Sequence, residues 1–156
     1  MNYRLASCED ASEIYDVEAA CFKIPWSLES IQSDLCQNEY AYYFVAEHDG
    51  KIVGFCGVHI VLDEGHIMNV AVLTEYRGQG VGEALLHTMM SYTNLCYYTL
   101  EVRVSNKSAI SLYKRLGFSI AGRRPNYYID EDALIMWRVK NDSGTQPIIN
   151  TPEITP

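Results

Sequence analysis

Asn69-Val70-Ala71-Val72 runs through Leu73-Thr74-Glu75-Tyr76 into Arg77-Gly78-Gln79-Gly80-Val81-Gly82, and the reading of this junction decides the fold. The apolar residues from His66 to Leu73 read as a strand. Beyond the glycines, Val81, Ala84, Leu85, Thr88, Met89 and Tyr92 recur at helical spacing and mark an amphipathic helix. Glycines between a strand and a helix let the backbone turn tightly and approach a ligand closely. Their N–H groups converge, the helix start adds a partial positive charge, and Arg77 adds a full one. That is the chemistry of a diphosphate cradle. A merely tight turn is the alternative, although glycines here weaken the helix start. Two other phosphate loops fit poorly. Glu83 stands where a P-loop needs Lys-Ser or Lys-Thr. The preceding strands look antiparallel, with no acidic residue placed for a dinucleotide fold.

Working outward, Ala41–Glu47, Lys51–Leu62 and His66–Leu73 form a strand meander, turned by His48-Asp49-Gly50 and Asp63-Glu64-Gly65. Upstream, Asn2–Leu5 reads as a first strand and Cys8–Phe22 as a helix, with Asp10 or Ser7 as its cap. After Pro25 a second helix starts at Ser27, with Leu28, Ile31 and Leu35 on one face. Downstream, Leu95–Val104 is strand. Asn106 opens a helix that Gly117 stops, and Phe118–Arg123 and Ala133–Val139 are the last strands. The expected class is mixed α/β, with about seven strands and about four helices. Residues 1–140 read as one domain and the proline-containing 141–156 as a flexible tail.

The 156 residues carry a net charge of -8, with no long basic run. Such a surface repels nucleic acid backbones and suits a basic partner. No stretch is long and apolar enough to span a membrane, and no apolar signal-like segment opens the chain. The five cysteines are odd in number and lack a CxxC, so reduced cytoplasmic thiols used as small hydrophobes are expected. The histidines lack metal-ligand spacing, and no metal is expected.

Several stretches together resemble one family. Arg77-Gly78-Gln79-Gly80-Val81-Gly82 resembles the pyrophosphate loop of the GCN5-related N-acetyltransferases (GNAT). Phe22-Lys23-Ile24-Pro25-Trp26-Ser27, Asn69-Val70-Ala71-Val72, Leu100-Glu101-Val102-Arg103-Val104-Ser105-Asn106 and Leu112-Tyr113-Lys114-Arg115-Leu116-Gly117-Phe118 resemble its other motifs in order. So do Arg123-Arg124-Pro125-Asn126-Tyr127-Tyr128 and Glu131-Asp132-Ala133-Leu134-Ile135-Met136. Within the family the likeness is to bacterial enzymes that acetylate the N-terminal alanine of a small-subunit ribosomal protein. Leu73-Thr74 departs from the pattern, where many relatives have a proline.

The resemblance implies a mostly antiparallel sheet splayed where acetyl-coenzyme A binds. It implies direct acetyl transfer to a protein N-terminus, in the cytoplasm. Val70, Val72 and Thr74 would pair with the pantetheine, Arg77, Gly78, Gln79, Gly80, Val81 and Gly82 with the phosphates, and Asn106 with the same arm. Glu101 is implied as the base, and the residues add support: a glutamate inside the apolar run Tyr97–Val104 is odd unless paired or used. Burial is expected to raise its pKa. An ion pair with Arg103, on the same face, is the alternative. Tyr113 is implied as the acid that protonates the departing thiolate, against a plain core tyrosine. Trp26, Arg103, Tyr127 and Tyr128 are expected to contact the peptide. Glu29, Asp34, Glu39 and Asp130 are candidates to attract its arginines, or else solvated acids. A lysine, polyamine or small-molecule acceptor, and a silent acetyl-coenzyme-A sensor, remain alternative functions.

Overall fold

Asp49 and Gly50 close a hairpin with φ of 51° and 75°, the left-handed pair that a two-residue turn between twisted strands requires. From such local rules the computed structural model, which describes residues Met1–Lys140, builds β1 (Asn2–Leu5), α1 (Ala11–Cys21), α2 (Leu28–Cys36), β2 (Ala41–His48), β3 (Lys51–Val61), β4 (Glu64–Val72), α3 (Val81–Thr93), β5 (Tyr97–Arg103), α4 (Lys107–Arg115), β6 (Ser119–Arg124) and β7 (Ala133–Val139). The expected tail, 141–156, lies outside the described residues. The order of helices and strands is the expected one. The seven strands run β1-β2-β3-β4-β5-β7-β6, antiparallel at β1–β2, β2–β3, β5–β7 and β6–β7. The β4–β5 pairing is parallel and comprises Glu64, Gly65 and His66 opposite Tyr97, Tyr98 and Thr99.

The chain divides into two compact units: Met1–Val61 with Ile67–Asn94, and Leu62–His66 with the described residues from Leu95 onward. In the first, Ile14 and Val17 of α1 and Ile31 of α2 bury against Tyr43, Val45, Ile52, Phe55 and Ala71. Leu85, Leu86 and Met89 of α3 are fully enclosed, each contributing roughly 2 kcal/mol by burial. Ser27 caps α2 by accepting from the Ser30 amide at 3.1 Å.

In the second unit β5 alternates. Tyr98, Leu100 and Val102 are buried, while Thr99, Glu101 and Arg103 share the opposite, partly open face. Asn106 caps α4 by accepting from the Ala109 amide at 3.2 Å. Gly117 ends the helix at φ 92°, with the Phe118 and Gly117 amides donating to the Tyr113 and Lys114 carbonyls.

Three expectations need correction. The first helix begins at Ala11, and Cys8–Asp10 form a 3-10 turn. The Asp10 carboxylate accepts from the Ser7 amide at 2.7 Å and from the Arg4 guanidinium at 2.8 and 2.9 Å, which fixes a separate turn. The second correction is at β4, which starts at Glu64 rather than His66, because Leu62 takes the left-handed turn position at φ 56°. The third concerns the thiols. Cys8 and Cys36 form a disulfide, with Cα atoms 5.1 Å apart. Spacing along the chain does not reveal that packing α1 on α2 brings the start of one beside the end of the other. Cys21, Cys56 and Cys96 are free thiols.

Candidate active site

In the first unit β4 delivers the glycine turn. Gly78 and Gly80 have φ of 72° and 79°, and a Cβ built on either meets no atom within 4 Å. Nothing packs where a side chain at either glycine would stand, so that side of the backbone is open. Gly80 also accepts the first helical bond of α3, from Ala84 at 3.0 Å, so the amides of Val81, Gly82 and Glu83 precede any intrahelical acceptor. Open backbone and a helix start fit the diphosphate of acetyl-coenzyme A.

The residues around the turn also make contacts among themselves. Arg77 turns back on its own turn, with Nε donating to the Val72 carbonyl at 2.8 Å and a terminal nitrogen 3.6 Å from Cys21 Sγ. That carbonyl also takes the Cys21 thiol at 3.5 Å, so Val72 O is already engaged. The Thr74 carbonyl accepts from the Arg77 amide at 3.3 Å, within a 3-10 turn over Thr74–Tyr76. Gln79 donates its side-chain amide to the Glu75 carbonyl at 3.2 Å, which stiffens the turn.

The same unit holds a buried carboxyl whose part sequence reasoning missed. Glu18 of α1 is 2% exposed. It accepts from the Trp26 amide at 3.2 Å and from the Asn69 side chain at 3.1 and 3.3 Å. These partners are neutral donors. Burial therefore wins over those hydrogen bonds and raises its pKa. The bracket joins α1, the connection to α2 and β4. Trp26 also rims a shallow surface cleft with Glu29, Ser30, Ser33, Asp34 and His59. Asp34 is engaged there, accepting from the Tyr43 hydroxyl at 2.7 Å and lying 2.6 Å from His59 Nε2. It is not a loose solvated acid.

In the second unit Glu101 is the centre. Its side chain is 9% exposed, with Oε2 2.6 Å from His66 Nε2 and Oε1 3.7 Å from the Arg124 guanidinium. The expected rise in pKa is not found. Burial pushes the carboxyl up, but the His66 hydrogen bond and charge, with Arg124, outweigh it and hold the group below its ordinary value. Nor does Arg103 pair with Glu101. It turns to Asp130 at 2.5 Å and Glu131 at 3.1 Å, and lies 4.2 Å over the Tyr128 ring.

Tyr127 and Tyr128 meet edge to face at 5.0 Å, with Arg124 over Tyr127 and the Tyr128 hydroxyl 3.4 Å from the Glu101 carbonyl. Burial pushes the Tyr128 phenol up to about 12, so it stays protonated near neutral pH. The Asn126 amide donates to Asp132 at 2.8 Å, and Arg123 holds the same carboxylate at 2.7 Å. These contacts order the loop that presents the tyrosines. Thr99 and Trp137 are paired across β5 and β7. The Trp137 indole N–H is buried with no acceptor among the described residues, an orphan donor costing about 1–3 kcal/mol unless something accepts it.

Glu101, Arg103, Tyr127 and Tyr128 thus come together, along with His66 and Arg124, which sequence reading did not assign to the base. Tyr113 is buried on α4, its ring 5.9 Å from Phe118, and Asn106 uses its oxygen as the helix cap. Val70, Val72, Thr74, Arg77–Gly82 and Trp26 belong to the first unit. Among the described residues no group of three or more His, Cys, Asp or Glu is placed to hold a metal ion. No helix among them is long and apolar enough to cross a membrane.

Residues 11–118 match the Acetyltransferase (GNAT) family. A Bacillus subtilis protein carried as a candidate ribosomal protein bS18-alanine N-acetyltransferase is 45% identical over 142 residues, spanning 86% of this chain and 92% of that protein. The Escherichia coli ribosomal protein bS18-alanine N-acetyltransferase is 37% identical over 134 residues, spanning 81% and 89%. The crystal structure of the ribosomal-protein-S18-alanine N-acetyltransferase from Escherichia coli superposes with a TM-score of 0.81 at 33% identity, covering 93% of this chain and 99% of that one. With the glycine turn after β4 and the carboxylate of β5 already in place, these likenesses show that the chain belongs to the GNAT family of acetyltransferases.

Proposed function

We propose that this chain transfers an acetyl group from acetyl-coenzyme A to the N-terminal α-amine of a protein, directly and without an acetyl-enzyme, in the cytoplasm. The substrate class is a small-subunit ribosomal protein beginning with alanine. The names of relatives 37–45% identical support that class. The observation that carries the chemistry is the Glu101 carboxylate, ionised and enclosed on a tyrosine-lined face.

Acetyl-coenzyme A, when bound, supplies the thioester. The backbone of Gly78–Gly82 and the start of α3 would hold its phosphates, with Arg77 as the nearby cation and Val70 on the strand leading in. An N-terminal amine titrates near 8, so near neutral pH most of it arrives protonated and must lose a proton before it can attack. Glu101 is the anionic partner of that proton transfer. Tyr113 is proposed to give a proton to the departing thiolate, a task suited to a phenol that is neutral at working pH. Tyr127 and Tyr128 wall the peptide, Trp26 is assigned to it as well, and Arg103 braces the tyrosine loop. The acids Asp130 and Glu131 beside Arg103 add negative potential for a basic peptide.

The test uses two synthetic peptides with acetyl-coenzyme A and intact-mass detection. One begins Ala-Arg with a free amine. The other is blocked at its N-terminus and carries an internal lysine. Acetylation of the free peptide alone is expected. Acetylation of the blocked peptide would move the assignment to lysine chemistry.

A further inference from the structure

The acid–base roles assigned so far leave one titratable neighbour of Glu101 unused. His66 is the last residue of the three-pair parallel ladder and lies opposite Thr99. Glu101 follows two positions along on the same face of β5. The two side chains meet at 2.6 Å, Nε2 to Oε2, and their exposures differ: 38% for the imidazole and 9% for the carboxylate. The carboxylate is the enclosed member and the ring is the member open to solvent.

The hydrogen bond fixes the proton. An ionised carboxylate only accepts, so the ring must donate from Nε2. A neutral ring donating there keeps its lone pair on Nδ1. A carboxylate that sets the tautomer of a histidine also steadies the imidazolium formed when that ring takes a proton. A carboxylate flanked by a histidine and an arginine is, conversely, a weak base. The charged and titratable groups facing the pair are Arg124 of β6 and the phenols of Tyr127 and Tyr128. Arg103, further along β5, is turned to Asp130 and Glu131.

We propose that His66 is the proton-accepting member of the centre, and that Glu101 orients it and stabilises its charged form. This rests on the assignment of Glu101 to the acid–base centre. The ammonium N–H bond breaks, its electron pair stays on the amine nitrogen, and the proton ends on Nδ1 of His66. The freed pair forms the N–C bond at the thioester carbonyl, the C–S bond breaks with its pair on sulfur, and the nitrogen's second proton ends on the departing thiol by way of Tyr113. The imidazolium afterwards returns its proton to bulk water, to which the ring is exposed.

The test compares the parent with His66→Gln and Glu101→Gln on the Ala-Arg peptide from pH 6 to 9.5, with acetyl-coenzyme-A affinity measured alongside. Gln at 66 keeps an N–H donor but has no nitrogen able to take a proton. His66→Gln is expected to lower kcat about 100-fold at pH 7. Its deficit should shrink above pH 8, where the amine arrives neutral, while acetyl-coenzyme-A affinity is unchanged. A deficit under threefold, or one equally large at every pH, overturns the proposal. Should Glu101→Gln lose activity while His66→Gln does not, the histidine is refuted and the carboxylate assignment stands. If neither loses activity, both fail. Should His66→Gln lose its fold, His66→Ala with added imidazole replaces it. Recovery of rate with imidazole supports the proposal, and no recovery in a folded variant refutes it.

Discussion

Each unit carries one glutamate drawn largely out of water, and the two are pushed in opposite directions. Glu18, in the first unit, is the more deeply buried, and a backbone amide and an asparagine side chain donate to it. Glu101, in the second, faces a histidine and an arginine. Burial raises both carboxyls; only for Glu101 do its neighbours reverse the result. Burial alone therefore does not set the protonation of a carboxyl. The neighbours decide it: neutral donors leave Glu18 raised, while His66 and Arg124 hold Glu101 low.

The largest expected break is Glu101→Gln. It should lower kcat about 1,000-fold, worth about 4 kcal/mol of barrier, and leave acetyl-coenzyme-A affinity intact by calorimetry. A variant that keeps full turnover would remove Glu101 from the chemistry. On the bracing side, the Cys8–Cys36 disulfide joins the 3-10 turn before α1 to the last residue of α2, two cysteines 28 positions apart. Replacing both cysteines with serine should cost about 3 kcal/mol in denaturant titration, without changing kcat at 25 °C.

Glu18→Ala should cost about 2 kcal/mol, since it strands the Trp26 amide and the Asn69 side chain. The double exchange of Glu18→Gln with Asn69→Asp reverses donor and acceptor across that contact. It also leaves an acceptor for the Trp26 amide, and it should recover part of the loss. No recovery would mean that volume rather than hydrogen bonding sets the cost.

The pH dependence separates the pair further. Glu101 is held low, so its contribution to stability is present above the unfolded carboxyl value near 4.3 and is lost as pH falls through the lower folded value. Glu18 is held high, so its contribution is present below about 4.3 and is lost as pH rises through the raised folded value. Removing Glu101 should flatten acid destabilisation, and Glu18→Gln should steepen it above the unfolded carboxyl value. The smallest effect is at Arg124→Gln. It should let the Glu101 carboxyl drift upward, move the acid limb of the rate profile to higher pH and change kcat a few-fold at pH 7.

Much of the scaffold was legible because its rules are local. Asp49-Gly50 specifies its turn, Ser27 and Asn106 specify helix starts, and Gly117 specifies a stop. The place of Glu101 on a strand was also legible, as one acid in an apolar run, and so was the turn between strand and helix at Gly78–Gly82. His66 was not, because a histidine at a strand start carries no signal until the parallel pairing sets it opposite Thr99. Glu18 read as one more position in a helix, although its place on the inward stripe with Ile14 and Val17 was a usable hint. The contact of the Arg77 side chain with the Val72 carbonyl within its own turn was not legible either, since it depends on how the turn folds back.

By itself the sequence determined which segments become helix or strand, where the glycine turn falls and which family's motifs the chain carries. Those follow from periodicity, caps and backbone freedom, all felt within a few residues. The tertiary structure alone decided that Cys8 meets Cys36, that Arg103 leaves Glu101 for Asp130 and Glu131, and that Glu101 is held ionised by His66 and Arg124. Charge and contact depend on distances across the fold, and residues 35 apart, such as His66 and Glu101, acquire one only when the strands pair.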